Sequence, residues 1–387
     1  MSRATLWAGK ALAGATSAAV LGAVCFGWLT YRSAVEGLVT DDVITPEPGA
    51  SSARELPRED TTILLVGMDS RTDAHGNPLP RDVLDALVAG DADGEQNTDT
   101  MMVVHVPADP AKHAFAVSLP RDSYVDIAGR YGRHKLNSAY ARGKNEGGSV
   151  TAGRRTLIAT VERLTGMHID HYAEIGLYGF SEITKAVGGV PVCLTEAVHD
   201  PYSGANFAAG PQVLHGVKAL KFVRQRHGLP GGDLDRVRRQ QAFLAGLANR
   251  LFSGGTLANP ARVTNLVDAL TRSVVLDRGW DLFAFAEQLS SLTGDRIEFS
   301  TIPTIRPDLS TPYDGSAVEV DAAAVRAYFQ ELLNGPATQQ AGAPMEKVEK
   351  SEKAGKPTVR VRAGAIEPIS ASTTQEPITA AGVPCVN

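Results

Sequence analysis

The sequence predicts an α/β protein, a three-layer α-β-α arrangement with a central mixed sheet flanked by helices and one transmembrane helix ahead of it. Three observations lead there. Residues 61–67 (TTILLVG), 97–106 (NTDTMMVVHV) and 114–119 (AFAVSL) are short apolar runs suited to strands covered on both faces. Later segments repeat their apolar residues at helical spacing instead. From Ala11 to Tyr31 the chain carries no charge, and at ~1.5 Å per residue that run matches a bilayer core of ~30 Å.

Arg3 and Lys10 precede the uncharged run, Arg32 follows it, and Trp28 and Tyr31 sit where interfacial aromatics would lie. A cleaved signal peptide is the competing reading, but the run is longer than a usual h-region. The expected division is a cytoplasmic tail (1–10), a single-pass membrane anchor (11–31), a Pro/Ser/acid-rich linker (32–60), an extracytoplasmic domain (61–335) and a mostly disordered tail (336–387). The chain has 387 residues with a formal net charge of −5, which argues against a nucleic-acid binder.

Within the domain, the run 61–67 leads straight into Asp69 and Arg71, and ligands gather at the carboxyl ends of strands in open α/β sheets. Residues 72–96 read as a polar insertion with a short helix near 81–88. Asp99 opens the second run, and the third ends on Pro120, Arg121 and Asp122. A lone Asp beside a strand is usually a turn or cap residue. Two acids and two arginines beside three neighbouring strands suggest more: Asp69 and Asp99 as hard oxygen ligands for Mg2+, Arg71 and Arg121 as partners of phosphate oxygens. Further helices are expected at 150–164 (stopped at Gly166), 177–187, 260–273, 281–292 and 322–333, and strands at 168–175, 190–194 and 297–302, with 202–210 a loop. His168 and His171 invite a metal reading, which the lack of Cys or Glu at ligand spacing disfavours.

Residues 213–251 read as two helices joined by a break. The first carries Val217, Leu220 and Val223 and delivers Arg224 and Arg226 to its end; Pro230 and the glycines around it stop it. Asp233 or Asp235 can cap the second, where Arg236, Arg239 and Gln240 follow at i, i+3, i+4 on one face. Arginine forks and a helix N-terminus together suit a phosphate or pyrophosphate. The plain alternative is a solvated basic face.

Four stretches, ILLVGMDSR, TDTMMVV, SLPRDSYVDI with HKLNSAYARG, and FVRQRHGLPGGDLDRVRRQQ, in that order, resemble the LytR-CpsA-Psr glycopolymer transferases of bacterial cell walls. Asn97, where relatives often carry Arg, and the long 72–96 insertion depart from the pattern. The resemblance implies a membrane-anchored phosphotransferase that moves a glycopolymer from a polyprenyl pyrophosphate to a peptidoglycan sugar hydroxyl. Its lipid would lie in an apolar tunnel between helices and sheet. On that reading Mg2+ sits on Asp69 and Asp99, and Arg71, Arg121, Arg224, Arg226, Arg236, Arg239 and Gln240 hold the pyrophosphate. Arg121, Asp122, Arg224 and Arg236 are the catalytic candidates, with Asp122 or Asp233 as the base. No Ser-His-Asp or Cys-His constellation indicates a covalent nucleophile. A lipid pyrophosphatase using the same site, and a membrane-bound regulator, are the other readings.

Of three cysteines, Cys25 lies inside the apolar run. That leaves Cys193 and Cys385, both on the side assigned to the outside, as an expected disulfide tying the tail to the sheet, or else as two unrelated thiols.

Overall fold

The chain enters its fold earlier than its composition suggests. Val39–Asp41 forms strand β1 inside the stretch expected to be linker, so the domain begins ahead of residue 61. A computed structural model describes residues 37–44, 59–87, 98–225, 228–229, 232–252, 260–290, 292–334 and 377–387. The expected membrane span, Asn97, Arg226 and most of the 336–387 tail lie outside these residues. Among the described residues no helix is long and apolar enough to cross a membrane.

After β1 come β2 (Thr61–Met68), α1 (Arg81–Leu87), β3 (Thr98–Val106), β4 (Ala114–Ser118), β5 (Ser123–Ile127), β6 (Gly132–Lys135), α2 (Ser138–Gly147) and α3 (Val150–Thr165). Then follow β7 (His171–Gly176), α4 (Leu177–Ala186), β8 (Val190–Leu194), β9 (Val198–Asp200), β10 (Ala205–Phe207), β11 (Gly210–Leu214), α5 (Gly216–Arg224) and α6 (Asp233–Phe252). The remainder is α7 (Pro260–Ser273), β12 (Val274–Asp277), α8 (Leu282–Ser290), β13 (Ile297–Thr301), β14 (Arg306–Thr311), β15 (Gly315–Glu319), α9 (Ala322–Asn334), β16 (Ile378–Thr379) and β17 (Cys385–Val386). The central sheet is mixed and eight-stranded, in the order β1-β12-β7-β2-β3-β4-β13-β16. Smaller sheets are β14-β15-β5-β6, β11-β8-β17 and β10-β9.

Side-chain alternation along the middle strands explains why helices cover both faces. Leu64, Val66, Met101, Val103, Phe115 and Val117 point one way, into a core shared with Tyr140 of α2, Leu157 and Val161 of α3 and Phe329 of α9. Their neighbours Met102, Val106, Ala114 and Ala116 point the other way, against Phe222 of α5, Phe243 of α6 and strand β8. At Gly246, α6 meets β8 so closely that an added Cβ would stand 2.2 Å from the Pro191 carbonyl oxygen. Helix α3 starts on Ser149, whose side chain accepts the Ala152 N–H, and stops at Gly166 in a left-handed conformation, φ 72°.

Several expectations are corrected. Val213 and Leu214 belong to β11, so the first helix of the pair begins only at Gly216. The 202–210 segment contains β10 rather than loop alone. Helix α6 begins at Asp233, which leaves Gly232 at the cap position and Asp235 inside the first turn. The strand expected from residue 168 begins at His171, whose ring pairs with Asp277 and stacks on Trp280. The last eleven residues of the tail are ordered, with β16 and β17 adding to two sheets, while the expected disulfide is present, joining Cys193 and Cys385 across β8 and β17.

Strand β1 is fixed by a buried ion network. Arg154 of α3 donates to both carboxylate oxygens of Glu174 on β7, each at 2.8 Å, and to Asp41 at 2.6 Å. Tyr172 and Thr151 donate to Glu174 and Asp41 in turn. Burial works against the Asp41 carboxylate, but the hydrogen bonds from Arg154 and Thr151 outweigh it and hold its pKa below the ordinary value. A depressed carboxylate contributes stability above its unfolded pKa and loses it as pH falls through the folded value.

Glu174→Gln, which leaves a buried guanidinium short of neutralising charge, is expected to cost roughly 3 kcal/mol in urea titration. In the same measurement wild-type stability should drop below about pH 4, with Asp41→Asn flattening that acid limb. Cys385→Ser should lower the unfolding free energy by up to about 5 kcal/mol, the loop-entropy value for so long a closed loop, and reductant should then have no further effect.

Candidate active site

Strands β2 and β3 run antiparallel at the middle of the sheet, so the end of one lies beside the start of the other. Gly67 pairs with Thr100 and Met68 with Thr98, which leaves Asp99 as one extra residue in β3. Such a bulge re-aims a side chain out of the strand's alternation. Asp69, one residue past β2, and Asp99 thereby line the same cavity.

That cavity, of about 400 Å³, lies between the sheet and helices α4, α5 and α6. Its polar end carries Asp69, Asp99, Arg121, Arg224, Arg236 and Gln240. Its other walls are apolar: Leu65 from β2, Phe180 from α4, Leu220 and Val223 from α5, and Phe243 and Leu244 from α6. One continuous space therefore joins a cluster of arginines and carboxylates to a hydrocarbon surface.

The polar end is held by ion pairs. Arg121 Nη1 donates to Asp99 Oδ1, while Arg121 Nε stands 3.6 Å from Asp122 Oδ2. Asp122 in turn faces Lys135 Nζ at 3.4 Å. Asp69 Oδ1 is buried and accepts no hydrogen bond, with Arg71 Nη1 at 3.8 Å and Arg224 Nη2 at 4.0 Å. A buried carboxylate oxygen that accepts no hydrogen bond has a lone pair to offer a hard cation, which binds through one or two carboxylates and completes its shell with phosphate oxygens whose charge would offset the two guanidiniums, and with water. Among the described residues no group of three or more His, Cys, Asp or Glu could hold a metal, so any ion here would depend on those other oxygens.

Of the residues expected from the sequence, Asp69, Asp99, Arg121, Arg224, Arg236 and Gln240 line the cavity, whereas Arg71, Asp122 and Arg239 do not. Arg71 sits beside the cavity rather than on its wall: it donates to the Asp69 carbonyl at 3.3 Å and braces that residue. Arg239 faces away altogether. It is fully buried, donates to Gln225 Oε1 at 2.6 Å and to the carbonyl of Asn387, and lies over the Phe222 ring. Burial pushes its guanidinium down to about 10. Arg226 lies outside the described residues. Lys135 faces Asp122 although the sequence pattern gives it no role, and Tyr202 and Ser203 line the cavity from a segment whose sequence predicts a loop. Lys135 reaches Asp122 because β5 and β6 pair as a hairpin, for which Gly129 and Gly132 were the available signal.

Residues 39–332 match the model of the LytR_cpsA_psr family. The cell wall biosynthesis protein LcpA of Corynebacterium glutamicum is 49% identical over 290 residues, covering 70% of this chain and 55% of that protein. The polyisoprenyl-teichoic acid–peptidoglycan teichoic acid transferase TagU of Bacillus cereus is 33% identical over 193 residues, covering 50% of this chain and 53% of the other. This chain thus spans about half the length of the curated relatives it matches. Among solved structures, B. subtilis TagV aligns with a TM-score of 0.54 at 25% identity, over 72% of this chain and 99% of that one. The family match runs from strand β1 into helix α9 and so takes in every wall of the cavity: the chain belongs to the LytR_cpsA_psr family.

Proposed function

We propose that the protein is a phosphotransferase of cell-wall assembly, moving a glycopolymer from a polyprenyl-pyrophosphate carrier to a sugar hydroxyl of peptidoglycan. The observation that carries this reading is the cavity itself, whose arginine-lined end and apolar walls match the pyrophosphate and the hydrocarbon of one lipid-linked donor. The name of the TagU relative, a teichoic acid transferase acting between a polyisoprenyl carrier and peptidoglycan, supports it. The disulfide supports an oxidising, extracytoplasmic setting for the domain, behind a single-pass anchor at 11–31.

In this mechanism the apolar walls hold the isoprenoid, and Arg121, Arg224 and Arg236 hold the pyrophosphate, with Gln240 beside them. The acceptor oxygen attacks the phosphorus next to the polymer. A phosphodiester forms, the bond from that phosphorus to the bridging oxygen breaks, and polyprenyl phosphate leaves with the electron pair. The hydroxyl proton passes to a carboxylate; Asp122, within reach of Arg121 and Lys135, is the candidate among the described side chains. Little covalent chemistry is asked of the protein, so positioning and charge neutralisation supply the rate. Asp69 and Asp99 would hold Mg2+, which supplies charge neutralisation at the phosphate oxygens when bound.

Arg121→Ala and Arg236→Ala are each expected to reduce transfer by on the order of 100-fold or more while circular dichroism stays that of the folded protein. The assay is transfer of labelled polymer from the lipid carrier to purified peptidoglycan; wild-type turnover in either folded variant would reject the clamp. Asp99→Asn should raise the magnesium concentration needed for half-maximal transfer, and an unchanged titration would mean that Asp99 serves only to pair with Arg121.

A further inference from the structure

We infer that Arg239 is a positioning residue, which sets the separation of Arg224 and Arg236 across the cavity without touching the substrate. This rests on the pyrophosphate reading above and adds to it how the clamp is spaced.

Helix α6 turns by ~100° per residue, so Arg236 and Gln240 lie ~40° apart while Arg239 lies ~60° beyond Arg236 on the side away from Gln240. The first two line the cavity and the third is fully buried behind them. Its partners are the end of the other helix. Arg239 Nη1 donates to Gln225, the residue immediately after Arg224, and the guanidinium carbon stands 5.2 Å from the centre of the Phe222 ring in the last turn of α5. Its Nε donates to the carbonyl of Asn387, against the strand held by the disulfide. Gln240 adds a second link, donating to the Val223 carbonyl at 3.3 Å. The end of α5, which presents Arg224, is therefore pinned to the start of α6, which presents Arg236.

Packing alone does not account for a guanidinium here. Its acceptors are the amide oxygen of Gln225 and the main-chain oxygen of Asn387, and burial outweighs the favourable charge of Asp235, so an apolar side chain of similar volume would be buried without that desolvation cost. What arginine adds is a rigid fork that reaches two segments at once in a fixed geometry. The burial that lowers its pKa is the cost of that fork.

The test measures binding of inorganic pyrophosphate to the full-length protein in detergent by titration calorimetry, with the melting temperature of each variant alongside. Arg239→Met, which keeps the volume, should weaken binding about tenfold, since a clamp misplaced by about 1 Å loses much of its effect. Arg239→Lys should recover part of that loss, and Gln225→Leu, which leaves Arg239 in place, should weaken binding in the same direction. Phe329→Leu lowers stability in the core on the opposite face of the sheet and should leave affinity unchanged. Arg239→Met should weaken binding less in the Arg236→Ala background than in the wild type, because part of its effect passes through Arg236. Wild-type affinity in folded Arg239→Met would overturn the inference, as would an equal loss in Phe329→Leu. Should Arg239→Met fail to fold, Gln225→Leu decides by the same criterion. Equal binding by wild type and Arg236→Ala would instead bring down the pyrophosphate reading itself.

Discussion

The antiparallel pairing of β2 with β3 is the constraint on which the rest of the site depends. Sheet alternation sends successive side chains to opposite faces, so two acids thirty residues apart in sequence reach one cavity only if the register is right. The extra residue at Asp99 supplies that register: Thr98 is fully buried and Thr100 opposes Gly67, while Asp99 faces the cavity with Asp69. A slip of one residue would carry Met101 and Val103 to the wrong core. The cores on both faces therefore enforce the geometry of the carboxylates, and the site inherits its precision from apolar packing some distance away.

Much of this was legible in the sequence, for identifiable reasons. The strands β2, β3, β4 and β8 are buried on both faces, and a doubly covered strand reads as an apolar run. Helices α3 and α7 carry their own end signals, Ser149 and Gly166 for the first and Pro260 for the second. The cysteine pairing could be reached because one of three cysteines lay in the apolar run. The misses share a cause as well. Strands β1, β9 and β10 have three residues each, too few for any period to show, and β14 is largely exposed. Their pairing is dictated by tertiary contacts, such as the Arg154 network for β1, that no local pattern announces.

Arg239 shows where helical periodicity stops being sufficient. Spacing i, i+3, i+4 places three residues on one broad face, but that face straddles the boundary between cavity and core. Composition cannot say which of two arginines takes the core side. Charge argues for exposure in both, yet both are buried, Arg236 on the cavity wall and Arg239 against the core, where Gln225, the main-chain oxygen of Asn387 and an aromatic ring receive it.

The C-terminal segment gives the last step. By composition it is too poor in apolar residues to matter, yet its final residues back the helix that presents Arg236. Asn387 accepts from Arg239 near the start of α6, Ala380 accepts from Asn249 near its end, and β17 extends the sheet of β8, against which Gly246 packs. Gln241 fastens the same helix to the central sheet through Ser118, Ser300 and Thr301. A helix whose first turn opens onto a cavity has fewer packing partners there than a helix buried all round, and its position must be set from the other sides. The central sheet supplies one of those sides, and a short strand recruited from the far end of the chain and held by a disulfide supplies another.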